Sequence, residues 1–359
     1  MSEIFKKAKE HFNSRLPFVV YCKPNSDKTI ALFQKNDDLF ELDSTSQSGF
    51  AFVSFNNLKR YLIPDNYCEV YFENNNATDF IISSNIENSY TEIDKVNFEK
   101  LVQKGVDSIN NNQFEKVVLS RKESVELQNF DFENAFKKLV SYYNEALKYC
   151  FYHPKIGLWI GATPEQFLKI EEDKLKTVSL AGTQLSIDNQ EVIWSKKEII
   201  EQKIVTDYLV YNLSKFSDSV EFSEPYTIKA GTLSHIKTDI EAKISDKNDI
   251  SKIINLLHPT PAVCGFPKQE AKDFIIENEG YDREFYSGFL GEWKKDFLTY
   301  RENQSDLFVN LRCMKIEIAL NLAITQAKIF IGCGITKDSS AKNEFVETVN
   351  KSITMKKAL

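Results

Sequence analysis

The chain has 359 residues, 42% of them hydrophobic, and a formal net charge of -7. That length and apolar share can bury one large core, while the acidic balance argues against nucleic acid and anionic membrane surfaces as partners. An anionic small molecule fits only if a metal or a local group of cations holds it.

In chain order, the opening MSEIFKKAKEHF reads as an amphipathic charged start rather than a signal peptide. No apolar run approaches the ~18 residues a membrane span needs, so a cytoplasmic protein is expected. Residues 1 to about 95 alternate like strands (PFVVYCKP, TIALFQKN, GFAFVSFN) between Asn/Asp-rich turns, and read as scaffold. From Val96 a helical pattern of Phe98, Leu101, Val102, Val106 and Ile109 leads into the strand FEKVVLSR. A second helix is expected over Phe132 to Leu147, then strands KIGLWIGA, EQFLKI and KLKTVSLAG, the last two forming a hairpin that turns at Glu172 and Asp173. Helices at about 195–215, 268–279 and 339–354 are separated by long strands, EFYSGFLGEW, DLFVNLRCMKIEIALNLA and QAKIFIGCG. Strands in neighbouring groups, without regular βαβ alternation or a Pro/Gly-rich linker, predict a single α+β domain with mostly antiparallel sheets.

The six cysteines, Cys22, Cys68, Cys150, Cys264, Cys313 and Cys333, form no CxxC pair and are expected to be buried free thiols. Glycines cluster in the chemically suggestive stretches, where they allow close backbone approach. The GxG at Gly332 and Gly334 lacks a third glycine, since Lys337 occupies that offset, so it is not a dinucleotide fingerprint.

Alternation puts Lys116, Val118 and Ser120 on one face of the FEKVVLSR strand. Lys116 is either a strand-end residue reaching water or a buried amine whose lowered pKa lets it accept a proton. Glu165, after Pro164, is either an exposed turn carboxylate or a desolvated acid that keeps its proton. Glu198 is accounted for by a capping box with Ser195. Glu201 has Ile204, Val205 and Tyr208 as helical neighbours, an apolar stripe on which a carboxylate needs a partner. Glu347 and Lys351 have the spacing of a surface ion pair, yet Glu344 and Glu347 put two carboxylates on one face without an intervening cation. Two such helical pairs facing each other would suit Mg²⁺, a hard ion that takes carboxylate oxygens.

The stretches KVVLSR, GATPE, LAGT, KEIIEQ, HPTPAVCGFP, FYSGFLGEW, VNLRC and IGCGI with NEFVETVNK, in this order, resemble the chorismate-binding enzyme family. That family includes isochorismate synthases, salicylate synthases, anthranilate synthase and aminodeoxychorismate synthase. The likeness covers about residues 95–357 and implies one domain over 1–359, with a divergent part at 1–95 and a catalytic region at 96–357. It implies two large sheets packed in the core with helices outside, and a Mg²⁺-dependent site for chorismate. By that resemblance Lys116 activates water for attack at C2 and Glu165 protonates the departing C4 hydroxyl. Glu201 and Glu347 hold Mg²⁺, directly or through water, supported by Glu198 and Glu344. Arg312 and Tyr286 bind the enolpyruvyl carboxylate, Lys351 and the backbone near Gly332 complete the anion pocket, and Gly182, Thr183 and His258 line the ring site.

Ammonia-using relatives lack a lysine at the KVVLSR position, so Lys116 points to hydroxylation and an isochorismate synthase, feeding menaquinone or a catechol siderophore. The alternative within the family is a salicylate synthase, which goes on to eliminate pyruvate. A non-catalytic chorismate or anion sensor and a purely structural protein are the readings from other classes. A monomer without a built-in glutaminase is expected. Gln202 stands where many relatives carry histidine, and Cys264, Cys313 and Cys333 replace other small residues, changes that leave every proposed acid, base and ligand in place.

Overall fold

Strands Phe18–Cys22, Gly49–Val53, Leu147–His153 and Phe289–Trp293 are buried at every residue, the pattern of strands covered on both faces. In the computed structural model, which describes residues 2–43, 47–75, 90–185, 192–230, 233–319 and 324–359, they form the centres of two large sheets. The first sheet has nine strands in the order Gly265–Phe266, Lys116–Leu127, Ile324–Ile335, Cys313–Ala319, Gly157–Thr163, Leu147–His153, Phe18–Cys22, Lys28–Gln34 and Cys68–Asn74. The second runs Val220–Phe222, Leu233–Lys243, Lys174–Leu185, Gln166–Glu171, Gln304–Val309, Phe289–Trp293, Gly49–Val53, Arg60–Pro64 and Phe40–Glu41, with Tyr226–Ala230 also paired to Leu233–Lys243. Every pairing among the described residues is antiparallel. The chain is a single α+β domain, and strands from its first 75 residues enter both sheets.

Aromatic side chains fill the space between the sheets: Phe52 stacks on Phe151 and on Phe285, and Trp159 stacks on Phe330. Helices cover the outer faces. Glu3–Asn13 and Phe132–Tyr142 pack on the first sheet through Phe5, Ala8, Phe136 and Leu139, and Lys196–Leu213 and Ile250–Leu257 pack on the second through Val205, Leu209, Ile253 and Leu257. Glu92–Asn110, Lys268–Asn278 and Ala341–Lys356 close the edge beside the Lys116 strand. Among the described residues no helix is long and apolar enough to cross a membrane.

Three differences from the sequence reading have local causes. The helix expected from Val96 begins at Glu92, because Thr91 and Asp94 form a capping box. The segment DLFVNLRCMKIEIALNLA is not one strand. It leaves the second sheet at Val309 and enters the first at Cys313, with Arg312 at φ 46° in the corner between them. EFYSGFLGEW yields a strand only from Phe289, since Ser287 adopts φ 61° and turns the chain. The expected hairpin turn is observed, with Glu172 at φ 60°. All six cysteines are free, and all but the partly exposed Cys68 are buried.

Trp159 is fully buried among Phe52, Phe285 and Phe330. Trp159→Ala should destabilise the fold by about 3–5 kcal/mol, read as a lowered urea midpoint; a change under about 1 kcal/mol would contradict this packing.

Candidate active site

Two corners lie side by side where the chain changes sheets. Thr163, Pro164 and Glu165 carry it from the first sheet to the second, and Asn310, Leu311 and Arg312 carry it back. They are stitched together: the Val309 amide donates to the Glu165 carbonyl (2.9 Å), the Thr163 hydroxyl to the Val309 carbonyl (2.5 Å), and the Ala162 amide to the Arg312 carbonyl (3.0 Å). Asn310 fixes the second corner, accepting from the Tyr149 hydroxyl (2.6 Å) and donating to the Phe285 carbonyl (2.9 Å). Glu165 and Arg312 are thereby presented from neighbouring turns.

Lys116 opens its strand and is completely buried, with its Nζ 3.2 Å from Glu201 Oε1. Burial pulls the Lys116 pKa below the ordinary lysine value, with the Glu201 and Glu165 carboxylates opposing that pull. Burial raises Glu165 to about 7, opposed by Lys116, Lys351 and Arg312. Glu201 is held below the usual carboxylate value: burial pushes it up, but Lys116, Lys197 and Lys351 together outweigh that push. These mutual influences place Lys116, Glu165, Glu201, Arg312 and Lys351 in one electrostatic field.

The glycines of the neighbouring strand make the arrangement possible. Gly334 pairs with Val118, and a Cβ on it would lie 2.0 Å from Glu201 Oε1. Gly332 pairs with Ser120, and a Cβ there would lie 2.6 Å from the Tyr286 hydroxyl, whose ring stacks on Phe330. Lys351 donates to the Gly332 carbonyl (3.1 Å) and to Glu347 Oε1 (2.6 Å). Gly182 sits at φ 73° where the strand register shifts, and its missing side chain leaves room for Glu198.

On the other side, the first turns of helices Lys196–Leu213 and Ala341–Lys356 line a cavity of about 700 Å³ that Thr183, Glu198, Glu344 and Glu347 share. Glu198 does form the capping box, accepting from the Ser195 amide (3.0 Å) and hydroxyl. Glu344 accepts from Lys197 Nζ (2.5 Å), and its second oxygen is buried without a partner. Burial, with repulsion from Glu347, lifts Glu344 to about 7 against the pull of Lys197. Arg312 lines a larger cavity of about 1040 Å³ together with Ala162, Pro164, Leu180 and Lys237. Among the described residues no three acidic, histidine or thiol side chains stand together at metal-binding separation.

One expected ring-site residue is placed elsewhere. His258 is buried between Phe167 and Phe289 with Nε2 3.1 Å from the Ser54 carbonyl, and its cationic neighbours are Lys268, Lys272 and Arg60, not the cluster above. The imidazole beside the cluster is His235. Its Nδ1 lies 2.9 Å from the Gly182 carbonyl and 3.3 Å from the Thr183 hydroxyl, and since a carbonyl only accepts, Nδ1 carries the hydrogen. Its Nε2 is a buried lone pair without a partner. Burial, reinforced by Arg312 and Lys351, lowers this imidazole to about 3 and keeps it neutral.

His235 lies in a strand with no flanking motif, and Lys197 precedes Glu198 as an ordinary helix-start lysine, so neither carried a signal in the sequence. Arg283 is a third such residue. It is fully buried, donates to the Val118 carbonyl (2.7 Å), the Val263 carbonyl (3.0 Å) and Glu279, and pins the Lys116 strand to the HPTPAVCG segment. Gln202 donates within its own helix to Thr206 (2.9 Å) and across to Thr238 (2.9 Å) and Ser179 (3.3 Å), the last two fastening the helix to the second sheet.

A family model described as chorismate binding enzyme matches residues 63–359. The chain is 30% identical over 271 residues to the salicylate biosynthesis isochorismate synthase of Pseudomonas aeruginosa, covering 73% of this chain and 54% of that protein. It is 30% identical over 274 residues to the isochorismate synthase EntC of Escherichia coli K12, covering 73% of this chain and 66% of that one. It therefore spans roughly half to two thirds of these relatives. The structure of MenF, the menaquinone-specific isochorismate synthase from Escherichia coli, superposes with a TM-score of 0.77 at 17% identity, covering 96% of this chain and 88% of that one, a likeness of fold.

The raised Glu165 pKa has a spectroscopic consequence. An infrared band of a protonated carboxyl should be present below pH 7 and vanish as pH rises through about 7, and Glu165→Gln should remove that component. A difference spectrum between the two proteins with no such component would mean that Glu165 is ionised throughout.

Proposed function

We propose that this chain, which belongs to the chorismate-binding enzyme family, is an isochorismate synthase that interconverts chorismate and isochorismate with Mg²⁺ as cofactor. The observation that carries this reading is a completely buried lysine sharing one electrostatic field with a carboxylic acid raised to about 7. Burial disfavours charge on both, which makes the amine a proton acceptor and the acid a proton donor near neutral pH. In the forward direction, Lys116 in its amine form takes a proton from a water whose oxygen adds at C2 of the ring. Glu165 gives its proton to the C4 hydroxyl, which leaves as water. One water enters and one departs, so the step is reversible, and exchange of protons with solvent resets both groups.

Arg312 and Lys351 supply positive charge for a dianionic substrate on a protein of net negative charge. Tyr286, held by stacking and by the space at Gly332, aims its hydroxyl toward the same region. The chemistry of the donors fits Mg²⁺: Glu201, Glu344 and Glu347 offer hard carboxylate oxygens, one of them buried without a partner, and Glu198 stands at the cavity wall. These four residues, not converged on one point in this structure, would hold the ion. When bound, the cation would neutralise the ring carboxylate. Neutral His235, with its bare Nε2, would line the ring site from the LAGT side.

Incubation with chorismate and Mg²⁺ should yield isochorismate by chromatography. Salicylate with pyruvate would instead identify a salicylate synthase, and unconsumed chorismate would sink the catalytic reading. Lys116→Ala should lower turnover by about 10²–10⁴ while chorismate affinity stays within a few-fold; turnover near wild type would remove Lys116 as the base.

A further inference from the structure

Three of the four carboxylates assigned to the cation each face a lysine of the chain. Glu201 faces Lys116 at 3.2 Å, Glu347 faces Lys351 at 2.6 Å, and Glu344 faces Lys197 at 2.5 Å. The three lysines are not equally free to leave. Lys116 has no exposure and is fixed on a strand. Lys351 holds two acceptors, Glu347 and the Gly332 carbonyl. Among the described residues Lys197 donates to Glu344 alone, its side chain is 16% exposed, and it lines the cavity of about 700 Å³ beside Glu198, Glu344 and Glu347. Its four-carbon stem therefore has an open space to swing into.

The group it neutralises has one oxygen to spare. Glu344 is 2% exposed, one oxygen is bound to Lys197, and the other is buried and unpartnered. Glu201 and Glu347 both act electrostatically on the same ammonium, so Lys197 stands among three carboxylates. A single positive charge there offsets repulsion that would otherwise push the two helix starts apart. A second cation cannot share Glu344 with it, because like charges a few ångströms apart in a partly dehydrated site repel strongly.

We propose that Lys197 is a resident counter-ion at the cation position, displaced into the adjacent cavity when a divalent ion binds, and that it thereby sets the metal affinity of the site. The proposal rests on the Mg²⁺ reading of the preceding subsection. Its direction is specific: a lysine serving as a metal-site support would strengthen binding, whereas a counter-ion competes with it. An arginine in its place, with a planar fork that grips a carboxylate at two points, would compete harder.

The test is calorimetric titration of Mg²⁺ alone, without chorismate, into wild type, Lys197→Met and Lys197→Arg. Lys197→Met should bind Mg²⁺ at least about tenfold more tightly than wild type, and Lys197→Arg several-fold more weakly. In chelator, Lys197→Met should melt below wild type, with saturating Mg²⁺ closing the gap. Mg²⁺ binding by Lys197→Met that is equal to or weaker than wild type overturns the counter-ion role and leaves the Mg²⁺ reading standing. If Lys197→Met does not fold even with Mg²⁺, Lys197→Arg decides, and affinity equal to or above wild type overturns the proposal. No binding by wild type or either variant overturns both the proposal and the Mg²⁺ reading.

Discussion

A lysine sealed from water against one carboxylate is the constraint around which this site is built. Burying either charge alone would cost several kcal/mol, and losing one partner of such a pair typically costs about 3–5 kcal/mol. The pair therefore dictates what surrounds it. The strand beside Lys116 must carry glycine at 334, because any Cβ there would occupy the position of the Glu201 carboxylate. The helix that bears Glu201 must be fastened to the opposite sheet, which Gln202 does through the hydroxyls of Thr238 and Ser179. Arg283 anchors the backbone of the lysine strand from below.

Burial shifts the two proton carriers in opposite directions from their ordinary values. It lowers the amine and raises the acid, so both approach neutrality from far apart. The same desolvation lowers His235 as well, so that it stays uncharged and presents the lone pair of Nε2. A site with this division of labour needs dry walls more than it needs many polar groups. The aromatic layer between the sheets supplies them, with Phe330 carrying both Trp159 and Tyr286.

Much of the architecture was legible because strands and helices leave different periods in a sequence. The helices bearing Glu201 and Glu344 begin and end within a few residues of where apolar spacing and caps place them. The two corners were legible unequally. Pro164 marks the first, but Asn310 and Arg312 lie inside a continuous β-like run, and only tertiary hydrogen bonds to Tyr149 and Phe285 break it there. Ion pairing across elements, Lys116 with Glu201 and Lys197 with Glu344, was not legible at all, and pairing within a helix was legible without its burial. The Glu347–Lys351 spacing reads as a surface pair, yet both side chains are largely covered. The capping reading of Glu198 and its place on the cavity wall are both true, because a cap satisfies one oxygen and leaves the residue where it stands. His258 illustrates the opposite error: a histidine in a suggestive motif is here a packed core ring.

Because the first sheet joins Phe18–Cys22 to Leu147–His153 and Lys116–Leu127 to Ile324–Ile335, its central contacts close very long loops of chain. Topologies of this kind pay their loop-closure entropy before native pairing rewards it, and they assemble slowly. The amine, its carboxylate partner and the glycine that makes room for them come from three such distant segments. Proton chemistry can therefore emerge only at the end of assembly, and partly folded chains leave Lys116 wet, fully charged and inert.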